Sequence, residues 1–190
     1  IVGNGNTEDL TEYYIHGEPE PIVSKITEDK SLRTHILSVI VINPGIKKEE
    51  LLEFFLQTLG GLQSSKATLS FAINISLRFL SSQQLIIKKG DRYAGTAFGK
   101  KTSMLYIDPL TATYFRDAID NVSNQRKHTF GFLHLMINCE EFFPKFSLRN
   151  KDYESTSLMI ENHSSELIEP ISEYDCSRSL LALQMWITES

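Results

Sequence analysis

The chain has 190 residues, 41% of them hydrophobic, and a formal net charge of -5. That length admits one large or two small domains with a packed core. No apolar run is long enough to span a bilayer and no basic leader precedes one, so membrane insertion and secretion are not indicated and an intracellular, cytoplasmic site is expected.

The acidic total hides an uneven distribution. Residues 1–30 carry two basic and seven acidic side chains, residues 140–190 four and ten, and residues 31–139 thirteen and seven, so only the centre is positive, at +6. Phosphate contacts depend on local charge more than on the total. Cys139 and Cys176 stand 37 positions apart, a spacing that fits two reduced, buried thiols better than a disulfide framework.

In chain order, Ile1 to Asn4 reads as the end of a strand and Thr7 to His16 as a short helix capped by Thr7. Glu18 to Ile22 reads as an extended connector, because Pro19 and Pro21 exclude helix; this is a hinge between bodies. Leu32, Ile36, Leu37, Ile40 and Val41 recur at helical spacing behind a Ser31 cap, and Asn43-Pro44-Gly45 ends the run. A second helix is expected from Lys47 to Leu59, stopping at Gly60-Gly61, and a third from Lys66 to Ser81. Leu85 to Lys89, the Gly90-Asp91 turn and Arg92 to Ala94 form a hairpin. Three helices followed by a hairpin is the winged-helix order.

The remainder reads as helical. Thr96 caps one helix that runs to Ile107, with Gly99 permitting close packing. Asp108 caps the next, with Pro109 at its first position, where a missing N–H costs nothing. Leu110, Tyr114, Phe115, Ala118, Ile119 and Val122 form the expected buried face. Thr129 caps a further helix, and helices around Tyr153 to His163 and Tyr174 to Trp186 complete the chain. The start without methionine and a last helix without a stop signal suggest a segment of a longer polypeptide.

Sites of chemistry are harder to find. Gly95 to Thr102 superficially resembles a phosphate loop, but it is one residue short and places Lys101 where a hydroxyl must reach magnesium; a helix start is the better reading. His128, His134 and Cys139 lack metal-ligand spacing, so a packed imidazole and a buried thiol are expected. No reaction is assigned. On the third helix, Lys66, Ser70, Asn74 and Arg78 form a polar stripe at i, i+4 spacing, while apolar residues cover the rest. Sequence-specific reading of the major groove therefore does not fit a helix expected to be mostly buried. Lys88, Lys89 and Arg92 flank the hairpin tip. With Lys66, Arg78, Lys100 and Lys101 they supply most of the central charge, which predicts weak, sequence-independent DNA binding through phosphates.

Two runs at fixed relative positions carry a resemblance: Gly17-Glu18-Pro19-Glu20-Pro21-Ile22-Val23-Ser24-Lys25 and Leu105-Tyr106-Ile107-Asp108-Pro109-Leu110-Thr111-Ala112. Thr96, Gly99, Ser103, Thr129-Phe130 and Leu133-His134-Leu135 extend it. Nearly the whole chain resembles the region after the motor of archaeal superfamily-2 DNA helicases of the Ski-two-like group, the Holliday-junction-migration type. Gly60 departs from the pattern, standing where these helicases usually place an aromatic, as does Cys139-Glu140 where Thr-Pro is common.

The resemblance implies a mainly α fold. Residues 1–30 would be a motor exit and linker, residues 31–107 a winged helix, and residues 108–190 the first part of a helical ratchet bundle. It implies an accessory, non-catalytic region that couples movement of RecA-like motor domains in the same polypeptide to DNA, in repair or replication-fork processing. ATP and magnesium would bind only in that motor. The alternatives are a free-standing winged-helix DNA-binding regulator and a protein-docking module.

Overall fold

Helical periodicity and well-placed caps build the first half of the molecule. The computed structural model describes residues 7–18, 21–26, 28–120, 122, 128–171 and 177–188. Helix α1 (Thr7–Thr11) continues as a π turn, Glu12–His16, as the short helix expected there. The expected strand at residues 1–4 lies outside the described residues, as do Pro19, Cys176 and residues 174–175. Helix α2 (Asp29–Ile42) buries Leu32, Ile36, Leu37 and Ile40. It starts ahead of the expected Ser31 cap: Glu28 occupies the capping position, and its carbonyl accepts from the Leu32 amide at 2.9 Å. Asp29 in the first turn suits the positive end of the helix dipole.

The second helix differs from expectation at both ends. Gly45, at φ +93°, turns the chain into a short strand, β1 (Ile46–Lys47), before helix α3 (Lys48–Leu56) begins. A two-residue strand is too short to leave a period in the sequence. Gly60 and Gly61 do not stop a helix; they lie buried within helix α4 (Leu59–Gln63). A Cβ on Gly60 would overlap Ile26, and one on Gly61 would overlap the Phe55 carbonyl, so two glycines permit this close approach.

Helix α5 (Lys66–Ser82) starts where Ser65 accepts from the Thr68 amide at 3.0 Å. Strands β2 (Ile86–Lys89) and β3 (Arg92–Gly95) form the expected hairpin, with Lys89 opposite Arg92 and Gly90 at φ +62° in the turn. The sheet is antiparallel in the order β1-β3-β2. Leu32, Ile36, Leu37, Ile40, Leu51, Phe55, Leu69, Ile73, Leu77, Leu80, Leu85, Ile86 and Tyr93 form one core between these elements. Each fully buried aliphatic side chain contributes about 1.5–3 kcal/mol.

Helix α6 (Ala97–Leu105) begins as expected, with Thr96 accepting from the Gly99 amide at 3.0 Å. Tyr106, in the left-handed conformation at φ +55°, ends it. Helix α7 (Pro109–Asp120) begins at Asp108, whose carboxylate accepts from the Leu110 amide at 3.1 Å. Its buried face matches the apolar one expected only in part: Ala118 is buried and Tyr114, Phe115 and Ile119 are half-buried. Pro109, Thr111, Ala112, Thr113 and Ala118 are buried, whereas Leu110 is exposed. Ahead of the helix, the Asp108 carboxylate is bound by the Arg33 guanidinium through two hydrogen bonds, one of them 2.7 Å, which ties the start of α7 to α2.

Helices α8 (Thr129–Asn138), α9 (Tyr153–Asn162) and α10 (Ser177–Thr188) surround a second core of Phe130, Leu133, Ile137, Met159 and Leu180. At the start of α8 the cap position is His128, whose side chain makes no capping hydrogen bond, and Thr129 is already helical. Among the described residues no helix is long and apolar enough to cross a membrane.

Candidate nucleic-acid interface

The polar stripe of α5 is only part of what that helix presents. Leu69, Ile73, Ser76, Leu77 and Leu80 face the core, as the spacing requires, but Phe71 and Ile75 point outward and are 68% and 45% exposed. The expectation that apolar residues wrap this helix into the interior is therefore corrected: its outer face is apolar beside Arg78. Helical spacing places 71, 75, 78 and 82 in one row opposite the core, so the two apolar residues are the outermost.

The hairpin sits beside this helix, and its cations have different surroundings. Lys47 of β1 forms an ion pair with Asp91 at 2.7 Å. That hydrogen bond holds the Asp91 carboxyl below its usual range. Arg92 donates to the Gly45 carbonyl at 2.8 Å, tying the hairpin to the turn before β1. Lys88 holds its ammonium 5.5 Å from the centre of the Tyr93 ring, a cation–π contact worth about 0.5–1 kcal/mol at an exposed site. Lys89 is exposed at the end of β2.

Between α3, α5 and the hairpin lies an open hollow of about 450 Å³, lined by Lys48, Asn74, Arg78, Ser81, Lys88 and Tyr93. Of the seven candidate DNA-contact residues, the structure brings Arg78 and Lys88 together here. Lys66 opens α5, twelve residues before Arg78, about 18 Å along the axis. Lys100 is exposed on α6. Lys101 instead borders a second cleft of about 290 Å³ with Phe98, Leu105, Phe115 and Arg116. Lys48 was missed, because its placement depends on the unforeseen strand β1. Asn74 was visible in the polar stripe; Ser81 and Tyr93 gave no signal.

The other candidate chemistries resolve into packing. At Gly99 a Cβ would overlap the Leu85 carbonyl oxygen, so the glycine serves helix-to-hairpin contact and offers no open phosphate cradle. His134 is 2% exposed, and its Nε2 accepts from Asn138 Nδ2 at 3.1 Å. Burial lowers its pKa, as for a packed neutral imidazole. Cys139, expected to be buried, is only half-buried, and its thiol donates to the Met136 carbonyl at 3.0 Å. Among the described residues no three His, Cys, Asp or Glu side chains are grouped to hold a metal.

No family model matches the chain. It is 30% identical over 180 residues to an ATP-dependent DNA helicase Hel308 of Thermococcus kodakarensis, a match covering 90% of this chain and 16% of that protein. It is 29% identical over 167 residues to the protein of the same name from Methanocella arvoryzae, covering 87% of this chain and 22% of the relative. With that of Methanocaldococcus jannaschii it shares 28% over 193 residues, covering 100% of this chain and 15% of the relative. The chain thus spans less than a quarter of the length of these three relatives.

Proposed function

We propose a role from one premise: this chain belongs to the Ski-two-like DNA helicases of the archaeal Hel308 type, as a segment of them. The segment is an accessory, non-catalytic DNA-binding and coupling region. Residues 31–107 act as a winged helix, and residues 108–190 as the beginning of a helical ratchet. RecA-like motor domains elsewhere in the same polypeptide supply ATP and magnesium binding, and the intact protein works on DNA in repair or at replication forks.

The observation that carries this reading is the meeting of Arg78 of α5, Lys88 of the hairpin and Lys48 of α3 around one hollow, on a body tied directly to the following helices. Arg33 of α2 holds Asp108 ahead of α7, and Arg116 of α7 donates to the Gln83 carbonyl at 2.7 Å. Movement of one unit is thereby passed to the next through charged, hydrogen-bonded contacts.

The test is DNA binding and ATP turnover by the 190-residue chain. It should bind unrelated sequences equally, with micromolar or weaker affinity, and should hydrolyse no ATP. Replacing Lys88, Lys89 and Arg92 by Ala should weaken binding to all sequences alike. Strong sequence preference would favour a regulator. No binding at low salt would favour a protein-docking module.

A further inference from the structure

We propose that the segment from Phe143 to Lys151, between α8 and α9, is a separate binding site for single-stranded DNA. Bases stack on Phe143 and Phe146, and Lys145, Arg149 and Lys151 hold the phosphates. The site shares no residue with α5 or the hairpin, and it rests on the reading above only for the choice of DNA over RNA.

The charge distribution points there. Residues 140–190 hold four basic side chains against ten acidic ones, and the four are Lys145, Arg149, Lys151 and Arg178. Arg178 reaches back to the same segment: its Nε pairs with Asp152 at 3.0 Å, and its guanidinium lies 5.8 Å from the centre of the Phe146 ring. All the positive charge of an acidic region is thus gathered at one stretch of chain. Arg178 takes up the Asp152 carboxylate, while Lys145, Arg149 and Lys151 are exposed and form no ion pair among the described residues.

Exposed cations alone name no ligand, since lysine and arginine ordinarily face water. The rings between them do. Phe143 is 88% exposed and Phe146 49%, on either side of Lys145. Aromatic rings interleaved with cations suit a single strand, because every base has a π-face, and stacking strengthens binding by roughly five- to a hundredfold per base. The segment is also held in place. The Phe146 amide donates to Ser179 Oγ at 2.8 Å, and Ser179 is buried in the first turn of α10. Leu148 is half-buried, and its neighbours Ser147 and Arg149 are presented to solvent.

The adjoining carboxylates narrow the ligand further. Glu140 and Glu141 precede the segment and Glu154 follows it. A broad anionic surface, whether a lipid bilayer or the flank of a duplex, would bring its charges within a Debye length of about 8 Å of these carboxylates. A single strand is narrow enough to follow the basic stretch. Its bases are also free to stack on the rings, as those of a duplex are not.

The experiment titrates the isotopically labelled 190-residue chain with a short oligothymidine and, separately, with a duplex. The oligothymidine should shift backbone amide signals of Phe143 and of Lys145 to Lys151. Phe143→Ala should weaken its binding about tenfold and leave duplex binding unchanged, whereas Phe143→Trp should retain it. Lys145→Ala/Arg149→Ala/Lys151→Ala should reduce the magnitude of the salt slope for oligothymidine by about two, at about 0.7 for each phosphate of a single strand. The exchange Lys145→Arg/Arg149→Lys/Lys151→Arg should keep the slope, which separates lost charge from lost folding. Unmoved amide signals in this segment, or unchanged oligothymidine affinity in Phe143→Ala, would overturn the site. Loss of all oligothymidine binding in Lys88→Ala/Lys89→Ala/Arg92→Ala would overturn it as well, because the hairpin would then be the whole contact. Binding of anionic lipid vesicles without binding of oligothymidine would reassign the segment to a membrane surface and sink the proposal. If oligothymidine binds at this segment while the duplex does not bind at low salt, the α5 and hairpin reading falls and this site stands.

Discussion

Asp108 shows how one side chain can organise two elements. Its carboxylate is almost wholly buried, bonded to Arg33 and to the first turn of α7, and its own amide donates to the Glu141 carboxylate at 3.1 Å. The Arg33 guanidinium also lies 5.7 Å from the Phe79 ring, so the pair is fixed against α5 as well. Removing one partner of such a pair leaves an uncompensated charge. Asp108→Asn should therefore cost about 2–3 kcal/mol in urea unfolding, less than the roughly 3–5 kcal/mol of a fully buried pair because Arg33 retains some solvent contact. A loss under 0.5 kcal/mol would show that the contact does not organise the joint. The sequence disclosed Asp108 as a cap but not its partner, since a contact across 75 positions leaves no local pattern.

His134 gives a pH dependence with a definite sign. Burial lowers its pKa, and a smaller effect of Glu169 opposes this. The unfolded chain therefore binds a proton more readily than the folded one. Stability is fully present above the unfolded value of about 6.5 and declines as pH falls from there through the folded pKa. His134→Gln should flatten the stability profile between about pH 7 and pH 5. An unchanged profile would mean that another group sets the slope in this window.

At the scale of elements, glycines mark the contacts that the sequence placed least well. Gly99 was legible as a packing glycine because it follows a Thr cap. Gly60 and Gly61 read as a helix stop, yet they belong to a helix pressed against the incoming chain. Beside them, Gln63 donates from Nε2 to the Ile22 carbonyl and accepts from the Ser24 amide through Oε1, both at 2.8 Å. The side-chain amide thus holds residues 22–24 as a neighbouring strand would, although Ile22 and Val23 remain exposed. Gln63→Ala should speed hydrogen exchange at the Ser24 amide about tenfold, the loss of one hydrogen bond of about 1.4 kcal/mol, while Ile73 in the core is unchanged. Equal protection in both proteins would remove the latch. Gly99→Ala meets backbone, which cannot rotate away, and should cost at least about 1–3 kcal/mol by overpacking.

At the scale of the molecule, periodicity and caps made the helices and hairpin legible, and the charge distribution pointed to the positive centre. What escaped was whatever depends on tertiary placement: β1, the outward face of Phe71 and Ile75, and the entry of Lys48 into the hollow. The proposed role is that this chain meets DNA through phosphates. Its most direct test is fluorescence anisotropy of the 190-residue chain with two unrelated DNA sequences across a range of salt. The expected result is equal, micromolar or weaker affinity for both, with an apparent slope of roughly -3 in log K against log salt, from fewer than about four phosphate contacts. A marked preference for one sequence, or no binding even at low salt, would contradict it.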